Sequence, residues 1–147
     1  MGVIPLPTSG LVYIDTVTLI YSVERYPAYW HLLEPMWQAG QAATFEIVSS
    51  ELILMEALVG PFKTGNTILQ RAYEDVLLGS DMRTVPISQA ILREAARVRA
   101  TTRLKTPDAL HAATAMLAGS VLFVTNDAGF RGVAGLPLVI LDDLLKP

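Results

Sequence analysis

Leu11-Val12-Tyr13-Ile14-Asp15-Thr16 is an apolar, β-branched run that stops at a carboxylate and then passes into a helical pattern. A short strand handing over to a helix in this way is the start of an alternating strand–helix chain. Taken alone, an Asp closing a strand is most often a turn former or the N-cap of the next helix. Asp15 becomes a candidate site only if other carboxylates arrive at the same edge of the fold.

Outward from that stretch, strand and helix signals alternate to the end. Val17 to Glu24 and Tyr29 to Ala39 read as two helical pieces broken at Pro27, with Gly40 as a stop. Thr44 to Val48 reads as a strand, and Ser49-Ser50 as caps of a helix from Glu51 to Val59 that Gly60-Pro61 ends. Asn66 to Leu78 is helical in pattern, and Arg83 to Ile87 is a short strand placed at or near an edge by Pro86, which has no amide to donate. Ser88 caps a helix to about Thr101. Thr106 at the cap with Pro107 at the first helical position opens another, which runs to Ala118. Val121 to Val124 and Leu138 to Leu141 read as the last strands, separated by a turn at Thr125-Asn126-Asp127 and a short helical piece. Short apolar strands that alternate with helices predict an α/β fold: three layers, with a mostly parallel central sheet between helices.

The composition agrees with one folded domain over residues 1–147. A hydrophobic fraction of 52% against 17% charged residues excludes disorder. With 11 Lys+Arg and 14 Asp+Glu the net charge is −3, so overall charge neither advertises nor excludes nucleic acid. The absence of cysteine removes disulfides, thiolate zinc sites and a cysteine nucleophile, and fits a cytoplasmic location. The apolar start carries Pro5 and Pro7 and has no Lys or Arg before Arg25, so it does not read as a secretory signal. The apolar stretch from Ala109 to Val124, broken by His111, Thr114 and Gly119-Ser120, reads as a buried helix and strand, with no membrane partner.

In a parallel sheet, ligands collect outside the carboxyl ends of the strands. Asp15 and Asp127 each follow such an end. Asp108 lies in the first turn of a crossover helix whose N-terminus faces the same edge. Glu56 lies about one and a half turns into its helix, with its side chain leaning back toward the N-terminus. Taken singly, Asp108 complements a helix dipole and Asn126-Asp127 is an ordinary turn. Glu56, set among Leu52-Ile53-Leu54-Met55 and Ala57-Leu58-Val59, must be paired, protonated or bound to a cation. Four acids converging on one edge point to a metal, and an oxygen-only donor set suits Mg²⁺ or Mn²⁺.

Four blocks carry a resemblance: Tyr13-Ile14-Asp15-Thr16; Ser49-Ser50-Glu51-Leu52 continuing through Met55-Glu56-Ala57-Leu58; Pro107-Asp108-Ala109-Leu110-His111-Ala112-Ala113-Thr114-Ala115; and Phe123-Val124-Thr125-Asn126-Asp127. In this order they resemble the signature blocks of PIN-domain ribonucleases, above all the toxins of VapBC-type toxin–antitoxin modules. The resemblance implies an acidic quartet, Asp15, Glu56, Asp108 and Asp127, that binds Mg²⁺ or Mn²⁺ and hydrolyses RNA without a protein nucleophile. It also implies a homodimer, and an antitoxin that lays a peptide in the groove between the early helices and puts an Arg near the acids. Many members carry a small polar residue two positions after the first Asp, where this chain has Val17. Thr16 or Thr18 is the expected source of the missing hydrogen bond.

Other residues carry two readings each. Thr125 and Asn126 either orient the acids or make a local turn. His111 either packs in the core, the commoner outcome, or orients Asp108 or touches substrate. Glu51, about 140° around the helix from Glu56, reads as a first-turn charge, and Asp142-Asp143 as a solvated C-terminal cap. Arg97, Arg99, Arg103 and Lys105, with Arg93 before them, form either a solvated helix face or contacts to an RNA backbone. Tyr21, Tyr26, Tyr29, Trp30 and Trp37 read as core or interface aromatics rather than base-stacking groups. Two rival functions stand beside the ribonuclease. One is an aspartyl phosphatase of the haloacid dehalogenase type, prompted by Asp15-Thr16-Val17-Thr18; the other is a catalytically silent binding domain using the same acidic edge.

Overall fold

Val12, Tyr13 and Ile14 are all fully buried, which a strand with one wet face does not allow. Successive side chains of a strand point to opposite faces, and here both faces are covered. Val12 and Ile14 join one core cluster and Tyr13 joins the other. The computed structural model describes residues 2–147. Among them, strands β1 (Leu11–Ile14), β2 (Glu46–Ser50), β3 (Arg83–Val85), β4 (Leu122–Thr125) and β5 (Leu138–Ile140) form one sheet in the order β3-β2-β1-β4-β5. Every neighbouring pair is parallel, so the sheet is wholly rather than mostly parallel.

Helices α1 (Thr16–Val23), α2 (Trp30–Gln41), α3 (Leu52–Thr64) and α4 (Thr67–Leu77) send Leu19, Leu33, Met36, Ile53 and Tyr73 into the first cluster. Helices α5 (Gln89–Thr101) and α6 (Thr106–Ala118) cover the other face with Ile91, Val98, Ala109, Ala112 and Ala113. A 3₁₀ turn (Ala128–Gly132) and helix α7 (Leu141–Leu145) complete the chain. Ala109 to Ala115 is buried throughout, which is why that stretch is so apolar. No helix among the described residues is long and apolar enough to cross a membrane. The chain first adds β2 and β3 on one side of β1, then returns to add β4 and β5 on the other. This reversal opens a crevice beyond the carboxyl ends of β1 and β4.

Several boundaries differ from the sequence reading. The strand expected at Thr44 to Val48 lies two residues on, because Ser49 and Ser50 belong to β2, although Ser50 Oγ also accepts from the Leu52 amide at the start of α3, at 3.1 Å, as a cap would. Ser49 Oγ donates to the Ile14 carbonyl and the Ser50 amide to the Tyr13 hydroxyl, so these polar residues are satisfied while fully buried. Gly60-Pro61 does not end α3, which runs to Thr64 and stops at Gly65, a left-handed residue with φ of +66°. Gly40 does not end α2 either. A Cβ there would come within 2.8 Å of Ile47 Cδ1, so this glycine lets α2 lie close on β2. The N-cap of α6 is Lys105, one residue before the expected Thr106. Asp142 and Asp143 belong to the first turn of α7 instead of capping a chain end.

Gly65→Ala keeps every packing contact, since no atom lies within 4 Å of the added Cβ, but holds alanine in a left-handed conformation. Denaturant unfolding at an unchanged slope should show a loss of about 1 kcal/mol, with Gly65→Asn losing less.

Candidate active site

Asp15 closes β1 and caps α1. Its Oδ1 accepts from the Thr18 amide at 3.2 Å and lies 2.9 Å from the Thr18 hydroxyl, while Oδ2 accepts a short hydrogen bond from Thr125. Only 5% of the residue is exposed. Thr125 ends β4, and its hydroxyl also accepts from the Asp127 amide at 3.1 Å, so one side chain links two of the acids. Asp127 Oδ1 then accepts from the Gly129 amide at 2.8 Å, which starts the 3₁₀ turn. Glu56 projects from α3. Its Oε1 takes a hydrogen bond from Thr16 Oγ1 at 2.7 Å and lies 2.7 Å from His111 Nε2. The Asp108 carboxylate, in the first turn of α6, accepts no hydrogen bond from any described residue.

These four carboxylates line one cleft of about 430 Å³ with Thr16, Val17, Ile20, Tyr21, His111, Asn126 and Ala128. No Lys or Arg is among the lining residues. Burial raises the Asp15 carboxyl, against the hydrogen bonds from Thr125 and Thr18. Burial also raises Asp108, and the charges of Asp127, Asp15 and Glu56 add to it, with His111 acting in the opposite sense. Burial would raise Glu56 as well, yet the hydrogen bonds from His111 and Thr16 outweigh it and hold that carboxyl below its ordinary value. Among the described residues, no three His, Cys, Asp or Glu side chains form a ready-made metal-binding group, so the acids surround a cleft rather than a closed cage. The donor set nevertheless fits a hard divalent cation. It is all oxygen and mutually repulsive, with Asp108 left for a partner the protein does not supply.

The other predicted residues divide sharply. Thr16 holds Glu56 rather than Asp15, and the Thr18 amide and Thr125 hydroxyl hold Asp15, so threonines do the work expected of a polar residue at position 17. Asn126 lines the cleft but bonds to no acid of the quartet. Its Nδ2 donates to the Tyr29 hydroxyl at 3.1 Å and its Oδ1 accepts from the Asp142 amide at 2.8 Å, tying α7 to the end of β4. Arg97 pairs with Glu94, Arg99 donates to the Thr106 hydroxyl, and neither of these nor Arg103 or Lys105 lines the cleft. Glu51 accepts from the Ile87 amide, away from the acids. His111 is only 1% exposed and bonds to Glu56, not to Asp108. Tyr13, which bonds to His111 at 2.7 Å, reads in the sequence only as part of an apolar strand. Tyr21 lines the cleft and stacks on Tyr29, with ring centroids 4.3 Å apart.

A carboxyl raised in the folded state contributes stability while it is protonated and loses that contribution as pH rises through its folded pKa. Asp108→Asn removes this loss. In chelator at pH 7 the variant should melt above the wild-type chain in scanning calorimetry, the gap closing as pH falls below roughly 4.

Comparison with known proteins gives a consistent family. The PIN domain family model matches residues 12–136. Solved structures of similar fold include VapBC2 from Rickettsia felis bound to a DNA fragment from their promoter, with a TM-score of 0.70 at 19% identity over 88% of this chain and 98% of that one. A toxin–antitoxin complex from Klebsiella pneumoniae gives 0.58 at 26% identity over 87% and 95% of the two chains. VapBC-5 from Mycobacterium tuberculosis, a member of the VapBC family of toxin–antitoxin systems, gives 0.54 at 21% identity over 92% and 98%. No curated protein matches the chain. With the family model spanning β1 through the loop before β5, the chain belongs to the PIN domain family, whose members are generally nucleases that use divalent metals.

Proposed function

We propose that the chain is an endoribonuclease dependent on Mg²⁺ or Mn²⁺ and the toxin of a toxin–antitoxin pair, with Asp15, Glu56, Asp108 and Asp127 as metal ligands and catalytic residues. The observation that carries this reading is the cleft itself, in which four carboxylates and no Lys or Arg meet beyond the ends of β1 and β4. Such a cleft repels a phosphodiester on its own. A divalent cation held there supplies positive charge toward the phosphate and acidity to a water molecule.

The chain's part is placement. Thr18 and Thr125 fix Asp15, Thr16 and His111 fix Glu56, and the Gly129 amide fixes Asp127. Asn126 steadies the turn between Thr125 and Asp127 through Tyr29 and α7. Arg97, Arg99, Arg103 and Lys105, between the last turns of α5 and the start of α6, lie outside the cleft and take the backbone of the RNA, a contact that positions without reading sequence. Met55, Val59 and Phe62, 60%, 45% and 62% exposed along the Glu56 helix, suit burial by protein partners, a cognate antitoxin and a second copy of the chain. A cytoplasmic location goes with that role. The phosphatase reading is less well supported, since such an enzyme is expected to carry a second Asp two residues after the nucleophile, where this chain has Val17.

A mixed-sequence single-stranded RNA incubated with the purified chain and Mn²⁺ should be cut internally, and chelator should stop the reaction. Asp15→Asn, Glu56→Gln, Asp108→Asn and Asp127→Asn should each lower the rate by at least roughly 100-fold, about 2.7 kcal/mol of barrier. Cleavage that persists in chelator, or in all four variants, contradicts the reading; metal binding with no cleavage of any RNA favours a silent binding domain.

A further inference from the structure

We infer that Tyr13 and His111 form a buried positioning relay for Glu56, in which the tyrosine hydroxyl selects the His111 tautomer that donates to the carboxylate. For what Glu56 then does, the inference rests on the nuclease reading; the relay itself does not.

The proton count fixes the direction. Tyr13 Oη accepts from the Ser50 amide at 3.0 Å, a donor that cannot be reversed. The phenol must therefore place its own proton elsewhere, and of its polar neighbours, which include the Ser49 and Thr114 hydroxyls, it is His111 Nδ1, at 2.7 Å, that has the hydrogen-bond geometry to accept it. Tyr13 is wholly buried, so leaving that proton unpaired would cost the full desolvation of a hydroxyl. With Nδ1 accepting, the neutral ring carries its proton on Nε2, which lies 2.7 Å from Glu56 Oε1 and 3.3 Å from Thr16 Oγ1. The opposite tautomer would set the Nε2 lone pair against a carboxylate at that same distance.

The relay is held rigidly. The Tyr13 ring stacks on Phe123 at 5.0 Å with an interplanar angle of 7°, and meets the His111 ring edge-on at 5.8 Å. Phe130 packs in turn on Phe123. Glu56 has most need of such a hold, because Asp15, Asp108 and Asp127 sit at strand ends or in a first helical turn, where the backbone orients them. Glu56 is on the second turn of α3 with three rotatable side-chain bonds. Thr16 and His111 both act on Oε1, which leaves Oε2 for the cleft. Helix α6 thereby supplies Asp108 directly and sets Glu56 through His111, one turn further along.

Long-range ¹H–¹⁵N NMR of the metal-free chain should show His111 as the Nε2–H tautomer, and Tyr13→Phe, which preserves the ring, should lose that preference. Calorimetric titration with Mn²⁺ should show about 10-fold weaker binding for Tyr13→Phe and 10–100-fold weaker for His111→Leu. His111→Gln, with an amide N–H available in place of Nε2–H, should recover binding to within about 3-fold of wild type. In a Glu56→Gln background, Tyr13→Phe should add nothing. An Nδ1–H tautomer, or unchanged Mn²⁺ affinity in a folded Tyr13→Phe, overturns the relay. A wild-type chain that shows the predicted tautomer but cuts no RNA overturns the nuclease reading and leaves the relay standing.

Discussion

A carboxylate taken out of water must be given partners, and Asp15 receives them from the two ends of the fold that meet at the central strand. Thr18 comes from the helix that Asp15 itself caps, and Thr125 from the end of β4, the neighbour β1 acquires only after the chain has built the other half of the sheet. The buried charge is therefore satisfied only when β1 and β4 are paired in register. The pairing of Ile14 with Val124 sets that register, and the Asp15 amide then meets the Val124 carbonyl. Asp127, two residues beyond the Thr125 hydroxyl, is brought to the cleft by the same pairing.

From this follows the electrostatic character of the site. Asp108 and Glu56 are delivered by helices on opposite faces of the sheet, so the cleft is where both layers and the sheet edge contribute charge of one sign. Folding stability does not favour such an arrangement: burial raises Asp15 and Asp108, and neighbouring carboxylates raise Asp108 further. Glu56 is held below its ordinary value, by His111 and Thr16. A fold that keeps these acids together at a cost to its own stability is consistent with a site selected for chemistry rather than for packing.

Much of this was legible in the residues. The alternation of short apolar strands with helices gives the layered parallel sheet, and strand direction alone carries Asp15, Asp127 and the start of the Asp108 helix to one edge. Local signals failed where burial outweighed them. Ser49 and Ser50 look like caps, and Ser50 does accept from the first amide of α3, but hydrogen bonds to β1 make both part of a buried strand. Gly60-Pro61 looks like a stop, but α3 continues with Pro61 buried until Gly65 turns left-handed. The partners of His111 and Asn126 could not be read. The bond from His111 to Glu56 joins residues 55 apart and depends on the rotation of two helices on opposite sides of the sheet edge. Asn126 pairs with Tyr29 and with a helix, α7, that the sequence pattern does not announce.

A nuclease of the proposed kind needs the acids of the cleft to hold a divalent cation. Anomalous diffraction from a crystal of the chain soaked in Mn²⁺ tests it most directly. A manganese peak is expected inside the cleft, within coordination distance of oxygens from at least two of Asp15, Glu56, Asp108 and Asp127. A cleft without a peak at saturating Mn²⁺, or manganese bound only elsewhere on the surface, would contradict it.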